Sequence, residues 1–245
     1  MGNKMFYEKE YNLRTCDFDG RDSIKMSACL DFFQEIAGEH ANVLECGFDN
    51  LIKNNQIWVL VRQRVTILKE LYPNSKIKVQ TWPKPQNKLY FNRDYRILNE
   101  DGEVSVIGSS VWVVCDFKTR RPFRFRGDFY KSDNYFPLNV YDTDIKKLKF
   151  DTLEVEEKPF IHKIENSHLD HNGHMNNRIY ADIVLNMIDL NDKKHVKDFT
   201  IEFIHEGLNH EKIYSYKYTK GAVTYFYGYI NSNLSYKVKA EYEGK

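Results

Sequence analysis

Cysteine is scarce in this sequence: four in 245 residues, Cys16, Cys29, Cys46 and Cys115, and none in the second half. Their spacing fits no zinc pattern, and a chain of this length buries enough core to do without disulfide staples. Buried free thiols in a reducing cytosol are therefore expected. Charge of one sign is equally scarce. The formal net charge is +1, so no broad field draws the chain to nucleic acid or to a membrane surface. No apolar run nears the ~20 residues that cross a bilayer, which argues against membrane insertion. The opening stretch MGNKMFYEKEYNLRT lacks the apolar segment of a secretory signal and is too acidic for a transit peptide. A cytoplasmic location is the expectation. Also missing are HExxH and G-x-S-x-G, the signatures of zincins and of nucleophile-elbow serine hydrolases.

Aromatic residues are plentiful, at 15% with 17 Tyr and 16 Phe, which suits strands and roomy apolar pockets. The chain is 42% hydrophobic and 29% charged, ordinary for a globular protein. After a short strand over 6–13, Phe33, Ile36, Ala37, Ala41 and Leu44 recur at helical spacing and predict a helix over about 27–44. Four strand-like runs follow at 57–68, 76–82, 89–98 and 104–117, separated by the turn-forming stretches YPNS, PKPQN and NEDGE. An irregular connector comes next. A second amphipathic helix then opens on asparagines suited to capping, with Ile179, Ile183 and Met187 on one face. Further strands are expected at 199–204, 212–218, 223–230 and 235–242. One helix followed by a run of antiparallel strands, twice over, reads as an α+β class.

The order of elements repeats, and so do short pieces of sequence. DFDGRDSIKM (17–26) aligns with DHNGHMNNRI (170–179), setting Asp17 on Asp170, Asp19 on Asn172, Gly20 on Gly173 and Arg21 on His174. VTILKELYPNSKI (65–77) aligns with IEFIHEGLNHEKI (201–213), setting Glu70 on Glu206. The expected division is a first unit over 1–130, a connector over 131–157 and a second unit over 158–245.

Chemistry gathers in the second copy. Asp170, Asn172 and His174 alternate just before the helix, and in an extended segment such side chains share a face. The helix start beside them offers backbone N–H donors and the positive end of the dipole, suited to an oxyanion. Glu206 ends a strand-like run that a packed sheet can bring close. A base, an imidazole, an amide and an oxyanion site are the parts for hydrolysis of an acyl bond by activated water. On spacing alone, a polar cap before a helix fits the same residues. The histidines His162, His168, His171 and His174 lack the spacing of a metal site. DFDG and DHNG are poor calcium loops, since the glycine falls too early and no closing glutamate follows. A basic run, KTRRPFRFR, carries Lys118, Arg120, Arg121, Arg124 and Arg126. It fits either a solvated strand end or a docking patch for an acidic partner.

At these residues the chain resembles the acyl-acyl carrier protein thioesterases of plant plastids and bacteria. The blocks that carry the likeness are IWVLVRQRVTILKELYPNSKIKVQTWP (57–83), SSVWVVCDFKTRRP (109–122), LDHNGHMNNRIY (169–180) and IEFIHEG (201–207). The resemblance implies a tandem hotdog fold, each half a long helix wrapped by a curved antiparallel sheet. It implies release of fatty acids from acyl carrier protein, with Asp170, Asn172, His174 and Glu206 catalytic and no cofactor or metal. The first half would hold the acyl chain, and the basic run would meet the carrier protein. A bacterial protein is expected, as a monomer or a sheet-edge homodimer. Many relatives have a cysteine straight after the catalytic glutamate. Here that residue is Gly207, which excludes a cysteine acyl-enzyme there; general-base hydrolysis is the favoured reading, and direct attack by Asp170 or Glu206 through an anhydride stays open. The alternatives are an acyl-CoA thioesterase, a non-catalytic acyl-thioester-binding hotdog protein and, more distantly, a dehydratase or hydratase.

Overall fold

The computed structural model describes residues 4–124, 129–130, 132, 135–152, 158–189 and 194–244. The first half runs β1 (Tyr7–Asn12), α1 (Met26–Val43), α2 (Phe48–Ile52), β2 (Gln56–Ile67), β3 (Lys76–Pro83), β4 (Phe91–Leu98) and β5 (Val104–Asp116). The second runs β6 (Phe160–Lys163), α3 (Asn177–Asn186), β7 (Lys194–Phe203), β8 (Lys212–Lys220), β9 (Val223–Ile230) and β10 (Asn233–Gly244). All ten strands join one antiparallel sheet in the order β1-β3-β4-β5-β2-β7-β10-β9-β8-β6. The two halves therefore have the same strand order, and they meet where β2 pairs with β7. This is the tandem hotdog arrangement, with a second helix shorter than expected: 10 residues against 18 in α1.

The helices form where apolar residues recur at helical spacing, and that stripe is what they bury. Phe33 and Ile36 of α1 are fully buried, as are Ile183 and Val184 of α3. Close approach of α1 to the sheet depends on a glycine. A Cβ at Gly108 on β5 would stand 2.2 Å from Cε2 of Phe33, whose ring stacks on Tyr95 at 4.5 Å. One apolar core runs through both halves, from Leu13 and Phe33 to Val238 and Ala240. Asparagine capping of α3 is as expected: Asn176 accepts the N–H of Arg178 at 3.0 Å. Three of the four thiols are buried, but Cys16 is exposed, contrary to expectation. It sits in a single 3-10 turn, Thr15–Asp17, ahead of α1.

Residues 135–152 of the connector pack on the sheet and give partners to polar residues there. Trp82 donates to the Leu138 carbonyl at 2.8 Å, Tyr141 meets Thr66 at 2.8 Å, and Glu202 accepts the N–H of Leu148 at 3.0 Å. Beneath it, Arg64 pairs with Asp198 at 2.9 Å across the β2–β7 seam, with Tyr141 over the guanidinium at 4.2 Å. Buried charges need such partners. Among the described residues no helix is long and apolar enough to cross a membrane.

Candidate active site

The stretch ahead of α3 is not extended, as the alternation suggested, but a tight turn built on one carboxylate. Asp170 Oδ1 accepts the backbone N–H of Asn172 at 2.8 Å and of His174 at 3.2 Å. The Asp170 N–H in turn donates to the His174 carbonyl at 2.8 Å. Gly173 takes the left-handed conformation, φ +79°, which a residue with a side chain adopts only at a cost. Asp170 therefore holds the shape that presents His174.

A second anchor brings in the glutamate. Met175 N–H donates to the Gly207 carbonyl at 2.9 Å, and His174 bridges to Leu208. The segment around Glu206 is itself pinned, since Ile204 and His205 both donate to the Ser235 carbonyl on β10. His174 Nε2 then lies 3.3 Å from Glu206 Oε2, the imidazole 20% and the carboxylate 46% exposed. Asn172 stays close, its amide 3.5 Å from Asp170 Oδ2. The four expected residues thus meet. No side chain fits at 207 without movement, because a Cβ there would stand 2.5 Å from Cδ1 of Ile164.

Arg120 joins them from the other half. Asp116 accepts the N–H groups of Lys118 and Thr119, forming a turn in which Arg120 has φ 57°. That turn sends Nη2 of Arg120 to 3.1 Å from both ring nitrogens of His174 and 3.6 Å from Glu206 Oε2. The structure separates Arg120 from its neighbours in the basic run: Lys118, Arg121 and Arg124 are exposed, and Arg126 lies outside the described residues.

Behind this cluster is a cavity of about 350 Å³, bounded by α1, β2 and the polar turn. Its α1 wall is Gln34 and three small residues, Ala37, Gly38 and Ala41, and Trp58 of β2 and Phe91 of β4 line it as well. Its mouth carries Phe48 of α2, which meets the His171 ring edge-on at 4.6 Å. Cys46 lines the cavity too, but burial pushes its thiol up to about 11. Burial also holds the Cys115 thiol above its ordinary value. Neither is a ready thiolate at neutral pH. His168 is spent on structure, its Nδ1 accepting the Glu165 N–H at 3.0 Å. Among the described residues no three His, Cys, Asp or Glu side chains converge as a metal site would need.

Two features of the site were not read from the sequence. Arg120 stood out only as one of the basic run, and its place beside His174 and Glu206 had no local signal because those partners lie in the other half. The five-residue α2 is too short for periodicity to register.

Comparison with known proteins gives a consistent picture. A family model of the acyl-ACP thioesterase N-terminal domain matches residues 4–133. The chloroplastic palmitoyl-acyl carrier protein thioesterase of Gossypium hirsutum is 29% identical over 199 residues, 74% of this chain and 46% of the relative. That of Arabidopsis thaliana is 27% identical over 220 residues, 82% of this chain and 52% of the relative. The chain thus spans about half the length of these curated relatives. Among solved structures, an acyl-ACP thioesterase from Bacteroides thetaiotaomicron superimposes with a TM-score of 0.84 at 20% identity, covering 98% of each chain. The 12:0-ACP thioesterase from Umbellularia californica gives 0.83 at 20% identity, again covering 98% of each. At that identity the likeness establishes the fold.

Proposed function

The chain belongs to the acyl-ACP thioesterase family, and from that premise we propose that it hydrolyses fatty acyl-acyl carrier protein to free fatty acid and carrier protein, ending chain elongation. One observation carries the reading: the His174–Glu206 pair, 3.3 Å apart, stands at the mouth of a largely apolar cavity. The cavity takes the acyl chain and leaves the thioester carbonyl beside the pair. Glu206 is open enough to hold a water, and with His174 it takes a proton as that water attacks. The oxyanion faces the first turn of α3, where Asn177 lines the cavity, and the charge of Arg120. Collapse breaks the C–S bond, and the proton passes from the imidazole to the leaving thiolate. Asp170 is poorly placed as a nucleophile, because Oδ1 already accepts two backbone N–H groups. General-base hydrolysis therefore fits better than a mixed anhydride at that residue.

The test incubates purified protein with acyl carrier proteins of graded chain length and measures free acid, with Glu206→Gln and His174→Ala alongside. Acid–base groups contribute roughly 10²–10⁴-fold. A loss under about tenfold in both variants overturns the mechanism.

The exposed Lys118, Arg121 and Arg124 flank the turn that carries Arg120, and we read them as the face that meets an acidic carrier protein. Reversing Arg121 and Arg124 to Glu is expected to raise KM on acyl carrier protein more than on acyl-coenzyme A of equal chain length. Equal rises on both would leave no carrier-specific role for the patch. Four free thiols favour a reducing, cytoplasmic setting.

A further inference from the structure

The first half holds a counterpart of the polar turn, in a register that differs from the sequence alignment. Asp19 N–H donates to the Ser23 carbonyl at 2.8 Å, just as Asp170 N–H does to His174. Asp19 Oδ1 accepts the N–H of Arg21 at 2.9 Å and of Ser23 at 3.2 Å, as Asp170 Oδ1 does from Asn172 and His174. Asp22, φ 57°, fills the left-handed position of Gly173. Asp19 thus corresponds to Asp170, Arg21 to Asn172 and Ser23 to His174. Asp17 is instead the partner of His168, closing the preceding turn by accepting the Arg14 N–H at 2.7 Å. The pairing of Glu70 with Glu206 stands: Leu68 and Lys69 donate to the Ser105 carbonyl as Ile204 and His205 do to that of Ser235.

This second turn also opens onto a cavity, of about 90 Å³. It is lined by Asp19, Arg21, Ser23 and Glu70 from the first half, and His195 of β7 joins them from the second. Ser23 Oγ and His195 Nδ1 are hydrogen-bonded. Arg21 is fixed on Asp19 through Nη2 at 2.6 Å and Nε at 3.0 Å. The inventory matches the first site with the origins exchanged. There the imidazole lies on the turn and the guanidinium, Arg120, comes from the other half. Here the guanidinium lies on the turn and the imidazole comes from the other half. A hydroxyl against an imidazole nitrogen is the pairing that activates a nucleophile.

We propose that this second cavity is an acyl-transfer site of its own, in which Ser23 attacks short acyl thioesters with His195 as its base. Its volume and its branched walls, Val184, Leu185 and Ile188, suit acetyl to butyryl groups rather than long chains. In the first step the Ser23 Oγ–C bond forms as the hydroxyl proton moves to His195 Nδ1. The C–S bond then breaks, and the imidazolium returns its proton to the thiolate. Water, deprotonated by the same nitrogen, cleaves the acyl-serine, releasing the acid and restoring the Ser23 hydroxyl.

The test starts from the 245-residue chain carrying His174→Ala and Glu206→Gln, which silences the first site. It uses acetyl and butyryl thioesters of N-acetylcysteamine, and a fluorophosphonate probe with peptide mass spectrometry. Short-chain hydrolysis is expected to persist, and the phosphonate to sit on Ser23. Adding His195→Ala should lower both at least tenfold. Leu185→Trp, which fills the cavity without touching the pair, should lower both as well, at an unchanged melting temperature. An unlabelled Ser23, or short-chain hydrolysis that survives Ser23→Ala, overturns the proposal. Long-chain activity is absent from this background by design, so the outcome is independent of the long-chain reading.

Discussion

The two polar turns share a backbone and differ in what it presents. Asp170 and Asp19 accept the same N–H groups and close the same loop, yet one presents an imidazole and the other a hydroxyl. The helices that face them differ more. The α1 wall of the first cavity is Gln34, Ala37, Gly38 and Ala41, whereas α3 offers Ala181, Val184 and Leu185 to the second, with Ile188 just past the helix end. The first cavity, beside three small α1 residues, measures about 350 Å³, and the second, beside Val184, Leu185 and Ile188, about 90 Å³. The hydrogen bonds that make a loop are thus separable from the side chain it presents, and the helix of the opposite half lines the cavity onto which each turn opens.

The largest effect that could break this comparison is at the His174–Glu206 pair. Glu206→Gln keeps the size and removes the base, so kcat on long-chain acyl carrier protein should fall about 10²–10⁴-fold with KM little changed. Arg120→Ala comes next. Its guanidinium touches both His174 and Glu206, and a lost charge-assisted hydrogen bond is worth about 1.5–3 kcal/mol. Steady-state kinetics should read a roughly ten- to 100-fold fall, partly restored by Arg120→Lys. A KM change alone would place Arg120 with the docking patch instead.

Long elements were legible because burial imposes a period on them. The helix expected over 27–44 is Met26–Val43, and the strands of the first half fall within a few residues of their expected ends. Short elements were not. Phe48–Ile52 is too short to show a helical period, and Phe160–Lys163 exposes Ile161 while half-burying His162, against its own hydropathy. β7 begins at Lys194, ahead of the expected 199, since His195, Lys197 and Asp198 break the apolar pattern there. Asp198 is polar because it faces Arg64 and the connector, a contact between distant segments. The turn was misaligned because letters were matched glycine to glycine. The backbone instead matches left-handed residues, and Asp22 fills that place in the first copy. That Asp170, Asn172, His174 and Glu206 come together was legible; that Arg120, read only as part of the basic run, meets His174 and that His195 meets Ser23 was not, because each arrives from the other half.

The two cavities also differ at depth, and pH can expose the difference. The first has Arg93 in its lining, and Arg93 Nη1 meets Nδ1 of the buried His40 at 2.9 Å. Burial, aided by the Arg93 charge, lowers the His40 imidazole to about 3. The folded state keeps it neutral, while the unfolded chain protonates it below its ordinary value near 6.5. Stability is therefore present above about pH 6.5 and drains away as pH falls toward 3, by roughly 2 kcal/mol at pH 5. Replacing His40 with Asn should flatten that acid limb in denaturant unfolding at pH 7 and pH 5. An equal loss between those pH values in variant and parent would assign acid sensitivity elsewhere.

The smallest expected effect tests the helix-wall idea itself. Gly38 sits inside α1, where glycine costs about 1 kcal/mol against alanine. No atom lies within 4 Å of where its Cβ would stand, and it lines the first cavity. A helix that tolerates such a residue at that place gains room for ligand. Gly38→Leu should hold or raise the melting temperature while it fills the cavity. Each methylene of substrate excluded costs about 0.8 kcal/mol of transfer energy, close to fourfold in kcat/KM. Across acyl carrier proteins of graded length, the optimum should move to shorter chains while the rate on the shortest stays near the parent's. A uniform fall at every length would mean that the side chain disturbs the polar turn, and that α1 does not set the chain length.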